Sequence, residues 1–202
     1  QIDLMLLAMI IPSIIQSMVG GGAGEVLIIK RDKPGYQEGS FEAVFIVACL
    51  IPVTVLGIVY YLTIKTLIPV FGIEENNILL YRSLSMIFIL SMLPGTFNSI
   101  LRPQLYYRGL YGFYALTTLI SQIFSLAFIL LTVKILGIYS FAISYFIAAM
   151  LNAILFSFRS GLYIRGIFNL SIWKYEFKQL LVLLKRVFSL SFQTLMNHFA
   201  TF

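Results

Sequence analysis

Residues 111–133 read YGFYALTTLISQIFSLAFILLTV and contain no charged side chain. A helix needs about 20 apolar residues to cross the hydrocarbon core of a bilayer, so this stretch predicts a membrane-spanning helix. Comparable apolar runs lie before and after it. Together they predict an all-α, multi-pass membrane protein with spans at about 4–24, 41–64, 78–101, 111–133 and 138–158, and a sixth, truncated span at 187–202.

The composition agrees with a membrane protein and excludes several classes of function. Apolar residues make up 60% of the chain and charged residues only 11%, against about 25% charged in soluble domains. The net charge of +6 does not indicate nucleic acid, because most basic residues flank apolar runs, next to membrane lipid. One Cys and one His exclude a disulfide framework and a zinc site, and no nucleophile motif is present, so we expect neither enzyme activity nor a cofactor.

The basic residues alternate from loop to loop. Of the fourteen Lys and Arg residues, eleven lie in loops 30–40, 102–110 and 159–186, and two lie in the loops at 65–77 and 134–137. Because cytoplasmic loops carry the excess of positive charge, the first group is predicted to be cytoplasmic and Gln1 external. Within the last cytoplasmic loop, residues 171–186 have the pattern of an amphipathic helix on the membrane surface. We expect both ends of the chain to be cuts in a longer protein.

Three consecutive spans carry small or polar residues at helical spacing. These are Ser91, Gly95, Asn98 and Arg102 in the third span, Tyr114, Thr118, Ser121, Gln122 and Ser125 in the fourth, and Ser140, Ser144, Ala148 and Asn152 in the fifth. Each set lies on one helical face. Two interpretations are open: packing and hydrogen bonding between helices, or a shared hydrophilic cavity.

A cavity of this kind has candidate ligand contacts. Arg82, Arg102 and Arg108 are candidate anion contacts, although they also fit interfacial or positive-inside anchors. The candidate contacts for a sugar or its path are Asn98, Gln122 and Asn152. Glu25 is a candidate for a coupling-ion site, although it also fits an ordinary carboxylate at the membrane interface. A basic vestibule on the cytoplasmic side would suit an anionic head group such as a diphosphate.

Glycine and proline mark candidate points of bending. The first span contains the glycines Gly20, Gly21, Gly22 and Gly24, and the third contains Pro94. Gly20 and Gly24 form a GxxxG pair, which favours close helix packing. The same glycines are also compatible with a flexible or unwound element on a substrate path, so they and Pro94 are candidate hinge or gating residues.

Several stretches resemble a known family. Residues 2–12, IDLMLLAMIIP, carry Asp3, Ala8 and Pro12 and are followed by Gly22-Ala23; residues 99–109 read SILRPQLYYRG, and residues 136–139 read LGIY. In order and spacing these features resemble the second to sixth helices of MviN/MurJ-type flippases and of Wzx-like polysaccharide exporters, both in the MOP superfamily.

The resemblance implies a function and a larger architecture. Such proteins are two-lobed bundles that move undecaprenyl-diphosphate-linked sugars across the bacterial or archaeal inner membrane by alternating access. The chain would be the N-terminal lobe, its partners membrane lipid, the lipid-linked oligosaccharide and a C-terminal lobe, and its coupling ion Na⁺ or H⁺. Gln16, Ser17 and Gly21 stand where lipid II flippases usually have two Arg and an acidic residue. This favours a lipid-linked glycan other than lipid II.

Two alternatives from other classes stay open. A MATE-like antiporter of small organic cations would need an acidic cavity residue, for which Glu25 is the candidate in these helices. A membrane-embedded glycan polymerase or ligase would need external Arg, His or acidic groups, and the short external loops argue against it.

Overall fold

The structure is a computed structural model that describes residues 2–31, 40–160, 181–190 and 192. The elements in chain order are α1 (Ile2–Arg31), α2 (Ser40–Leu67), a short 3₁₀ helix (Glu75–Asn77), α3 (Ile78–Tyr107), α4 (Tyr111–Leu136) and α5 (Tyr139–Ser160). Five of these helices are long and apolar enough to cross a membrane. The predicted all-α, multi-pass fold is therefore confirmed. Helices are expected here because the bilayer core contains no water, so backbone groups must form their hydrogen bonds within the helix.

The helices extend beyond the apolar runs that predicted them. At 30 residues, α3 is about 45 Å long and continues through Pro103 to Tyr107. The predicted loop beginning at Arg102 is thus wrong at its start, because Arg102 is helical. Pro103 removes one backbone N–H from the helix, but its ring packs against Gly24 of α1, so tertiary contacts hold the last turn in place.

Two predicted elements fall largely outside the described residues. The surface helix at about 171–186 and the sixth span at 187–202 are described only at residues 181–190 and 192, which are helical. The described helix crosses the predicted boundary at Arg186 without a break. Val187 is fully buried within it, so this segment packs against the rest of the protein.

Helix α3 is the centre of the bundle. It packs against α1, α2 and α5, and α5 in turn packs against α4. Two contacts for each pair of helices give their relative directions: Gly20 with Ser99 and Gly24 with Pro103, Gly57 with Ile89 and Tyr60 with Tyr81, Phe88 with Tyr145 and Asn98 with Ala149, and Tyr114 with Phe156 and Ser121 with Asn152. Helices α1, α3 and α5 therefore run one way and α2 and α4 the other. We call the two ends of the bundle the Arg102 end and the Arg82 end, after these two residues of α3.

Glycines bring α1 and α3 into close contact. A Cβ built on Gly20 would lie 2.6 Å from Cβ of Ser99, and one built on Gly24 would lie 2.6 Å from Cγ of Pro103. Gly21, between them, is exposed, and a Cβ built on it would have no atom of another element within 4 Å. Helix α1 is continuous through all of these glycines. In this conformation Gly20 and Gly24 act as packing residues, as small-xxx-small pairs do in membranes.

Helices α2 and α3 pack through a buried polar contact near the Arg82 end. The hydroxyl oxygens of Tyr60 and Tyr81 lie 3.0 Å apart, and the Tyr60 hydroxyl lies 3.4 Å from Oγ of Ser85. All three residues are buried. Closer to the middle of the pair, Gly57 faces Ile89, whose Cγ2 would lie 3.1 Å from an added Cβ. Each tyrosine thus buries its ring while its hydroxyl keeps a partner.

We expect Gly24→Ala to lower the free energy of unfolding by about 1–3 kcal/mol, because the new methyl group would overpack the contact with Pro103. Gly21→Ala is the matched control. It adds the same methyl group to open space and should be neutral or stabilising by up to about 1 kcal/mol. Thermal unfolding of the purified protein in detergent measures both. Equal melting temperatures for the two variants would contradict this account of the α1–α3 contact.

Candidate functional site

A cavity of about 580 Å³ lies among α1, α3, α4 and α5. Helices α3 and α5 pack together behind it, and α1 and α4 stand at its two sides. The volume falls within the range of small-molecule sites. Its polar lining residues are Gln16, Asn98, Ser99, Arg102, Tyr114, Thr118, Ser121, Gln122, Ser125, Ser144, Tyr145 and Asn152.

The polar faces recognised in the sequence meet around this cavity. The whole polar face of α4 lines it, together with Gly95, Asn98 and Arg102 of α3 and Ser144, Ala148 and Asn152 of α5. Two members of the faces lie elsewhere. Ser91 donates to the carbonyl of Ile87 at 2.8 Å, and Ser140 donates to the carbonyl of Gly137 at 2.7 Å. The faces therefore converge over most, but not all, of their length.

The same polar residues also join the helices. Nδ2 of Asn98 donates to the backbone carbonyl of Ala149 at 2.9 Å and so links α3 to α5. The Ser121 hydroxyl lies 2.8 Å from Oδ1 of Asn152, linking α4 to α5, and has the carbonyl of Thr117 as a second acceptor at 2.9 Å. Packing and cavity formation are thus not alternatives here, because one set of side chains does both.

Arg102 stands among aromatic rings at one end of the cavity. Its Nε donates to the hydroxyl of Tyr106 at 3.3 Å, and its guanidinium carbon lies 5.5 Å from the ring centroid of Tyr106 and 5.2 Å from that of Tyr114. The rings of Tyr106 and Tyr111 stack at 5.1 Å, and Tyr114 lies 5.6 Å from Phe156. Cation–π contact of this kind favours a defined guanidinium position while leaving its remaining N–H donors available.

The character of the cavity changes along its length. Arg102, Tyr114 and Asn152 line the Arg102 end. Amide and hydroxyl groups occupy the middle, where Gln16 lies against Gly95. Towards the Arg82 end the lining becomes largely apolar, with Met5, Met9, Phe88, Leu126, Ile129 and Phe141. Among the described lining residues Arg102 alone is charged.

Some of the predicted site residues line the cavity and others lie away from it. Arg102, Asn98, Gln122 and Asn152 line the cavity. Arg82 is half-buried on α3 near the opposite end, with its guanidinium carbon 5.8 Å from the ring centroid of Tyr61. Arg108 is half-buried just beyond the end of α3 and does not line the cavity.

The remaining predicted site residues lie on α1 and α3. Glu25 is exposed on α1 and does not line the cavity. Gly22 and Pro94 are buried within α1 and α3 respectively. Over the described ranges, no three His, Cys, Asp or Glu side chains are grouped so as to hold a metal ion.

Sequence reasoning missed three contributors. Gln16 was noted only as a departure from a family pattern, yet it lines the cavity. Tyr106 falls in the predicted loop at 102–110, and Tyr111, the first residue of the predicted fourth span, carries no predicted role. Arg102 and Tyr106 are four residues apart, a spacing that brings side chains together on a helix. A third helix predicted to continue past Pro103 would therefore predict their contact.

Comparison of this chain with protein-family models, curated proteins and solved structures finds no match.

If the cavity holds water, a cysteine placed on its wall should react with a hydrophilic maleimide. Gln122 lines the cavity, whereas Ile120 lies about 200° away around α4 and is 45% exposed on the other side. In a Cys49→Ala background, which removes the one buried native thiol, we expect Gln122→Cys to be labelled in liposomes and Ile120→Cys to stay unlabelled. Equal labelling of both positions would contradict a water-filled cavity.

Proposed function

We propose that this chain is one lobe of a flippase that moves an undecaprenyl-diphosphate-linked saccharide across the bacterial or archaeal inner membrane by alternating access. The observation that carries the proposal is the cavity, in which one cation stands at the end of a row of neutral amides and hydroxyls. A diphosphate-linked saccharide has the matching chemistry, an anion joined to a neutral group rich in hydroxyls. In the two-lobed arrangement implied by the resemblance, the cavity is this lobe's share of the substrate path.

The charge of the cavity favours an anionic ligand. A guanidinium binds phosphate oxygens through paired N–H donors, and that of Arg102 stands beside the rings of Tyr106 and Tyr114. An antiporter of organic cations would need an acidic residue here. Among the described residues no Asp or Glu lines the cavity, and Glu25 lies on an exposed face of α1.

The neutral groups of the cavity suit a saccharide. The side-chain amide of Gln122 forms no hydrogen bond within the described part of the chain, so its donors and acceptor are available. Asn152 uses Oδ1 for the contact with Ser121 and keeps its Nδ2 donors for a ligand. Hydroxyl groups of a sugar can replace water at such amides without leaving either partner unsatisfied.

The row of polar groups also gives the head group a route. A polar group in hydrocarbon without a hydrogen-bond partner costs several kcal/mol. Polar side chains continue from Arg102 through Asn98 and Gln122 to Ser125, so a head group moving along them always has partners. The chain's role is to bind and orient the head group and to shield it from lipid, and no covalent step is required.

Replacing Arg102 tests this assignment. Hydrogen bonds to charged groups contribute about 1.5–3 kcal/mol, so we expect Arg102→Ala to slow flipping of a fluorescent undecaprenyl-diphosphate-linked saccharide in proteoliposomes about 10- to 150-fold. Arg102→Lys keeps the charge but loses the planar fork and should retain an intermediate rate.

The matched control is Arg159→Ala. Arg159 is a basic, exposed residue at the same end of the bundle, and it does not line the cavity. Its removal changes the net charge equally and should leave the rate within about twofold of wild type, as expected of exposed charges. A similar rate loss in both alanine variants would mean that general surface charge, rather than the cavity cation, drives transport.

A further inference from the structure

A carboxyl group lies buried without a partner at the start of α2. Glu42 is 1% exposed, and neither Oε1 nor Oε2 has a hydrogen-bond partner in the described part of the chain. It sits in the first turn of the helix, within a run from Phe41 to Ile46 in which every residue is buried. The carboxyl group is therefore enclosed on all sides of its helix, unlike an interfacial glutamate that reaches water.

An ionised carboxylate is not stable in such a place by itself. Removing a charge from water carries a penalty that must be offset by a partner, or else the group becomes neutral. The positive end of the α2 dipole favours Glu42 in its first turn, but this contribution is much smaller than the penalty for burying an unpaired ion. The described part of the chain contains no side chain that neutralises the Glu42 carboxylate.

A second unpartnered polar side chain lies at the same level. Gln104 of α3 is 2% exposed, and both its Oε1 and Nε2 lack partners among the described residues. Helices α2 and α3 are antiparallel, and Gly57 faces Ile89. Glu42 precedes Gly57 by as many residues as Gln104 follows Ile89, so at 1.5 Å per residue the two side chains lie level on the bundle axis.

Among the side chains that the structure describes, no neighbouring charge is a partner of Glu42. The acidic and basic side chains near this level on the helices that pack against α2 are Glu25 on α1, which is exposed, and Arg102 and Arg108 on α3. Arg102 points instead to Tyr106 and Tyr114. Glu42 forms no ion pair within the described ranges.

We propose that Glu42 binds a monovalent cation, a proton or a sodium ion, at the Arg102 end of the α2–α3 pair, with Gln104 supplying the second oxygen. The bound cation neutralises the carboxylate in the conformation described. The binding site stands on burial and missing partners alone. Its use as the coupling-ion site of the transporter, in place of the exposed Glu25, rests on the function proposed above.

The experiment is done on the purified protein in liposomes and needs no transport. Infrared difference spectra report a protonated carboxyl group, and equilibrium binding of radioactive sodium reports the ion. If the cation is a proton, a carboxyl band is present in wild type and lost in Glu42→Gln, without sodium binding. If it is sodium, stoichiometric sodium binding is lost in Glu42→Gln. Glu75→Gln, in an exposed turn, should change neither signal.

A second variant keeps the test decisive should Glu42→Gln fail to fold. Gln104→Leu leaves the carboxyl group in place but removes the second oxygen, and should shift the carboxyl band or weaken sodium binding about tenfold. The proposal is overturned if neither signal is found in wild type, or if both signals survive in Glu42→Gln. Since neither readout depends on flipping, a failed transport assay and a failed cation assay remain distinguishable.

Discussion

The absence of water in the hydrocarbon core is the constraint on which the rest of this structure depends. Hydroxyl and amide side chains meet that constraint differently. The hydroxyls of Ser83, Ser91, Thr117 and Thr132 donate to a carbonyl four residues back in their own helix, so they can face any direction. A side-chain amide has more donors and acceptors than its own helix can satisfy. The amides therefore decide where the helices must leave a shared polar space.

Four of the described side-chain amides lie in one such space. Gln16, Asn98, Gln122 and Asn152 come from four different helices, and all of them line one cavity. Two are partly committed to neighbouring helices, through Ala149 and Ser121. The cavity is held open by the same bonds that join its walls. Such an amide can join two helices through one of its polar atoms and present the other to the cavity. Its structural role therefore does not exclude a role in binding.

The sequence was sufficient for the features that depend on one helix at a time. Apolar length predicted the five spans, and the 3.6-residue period predicted which residues of α4 share a face. The sequence was not sufficient for features that depend on how neighbouring helices pack together. Arg82 and Arg102 are the same residue type on the same helix. The packing of α4 and α5 with α3 places Arg102 beside the cavity, whereas the packing of α2 with α3 places Arg82 against Tyr61.

The same limit explains Glu42 and Gln16. A carboxylate next to a loop at the end of an apolar run reads as an interfacial anchor, and its burial follows from the elements that surround the first turns of α2. Gln16 belongs to no polar stripe, because the residues of α1 around it are apolar or small. It enters the cavity because Gly95 leaves room for its side chain. Neither residue can be assigned from the sequence, because long-range packing, not local pattern, sets their surroundings.

The distribution of charge in the cavity bears on passage as well as on binding. A site that moves its ligand must attract it and must also release it. In the proposed function, the one cation at the Arg102 end attracts the anionic head group. Beyond Arg102, the described lining residues are all neutral. A head group moving as proposed would therefore meet no second charge that binds it partway. The proposed role of Arg102 as the first contact of the head group is compatible with a role as the basic anchor of its helix, because both roles require a cation near the end of the helix.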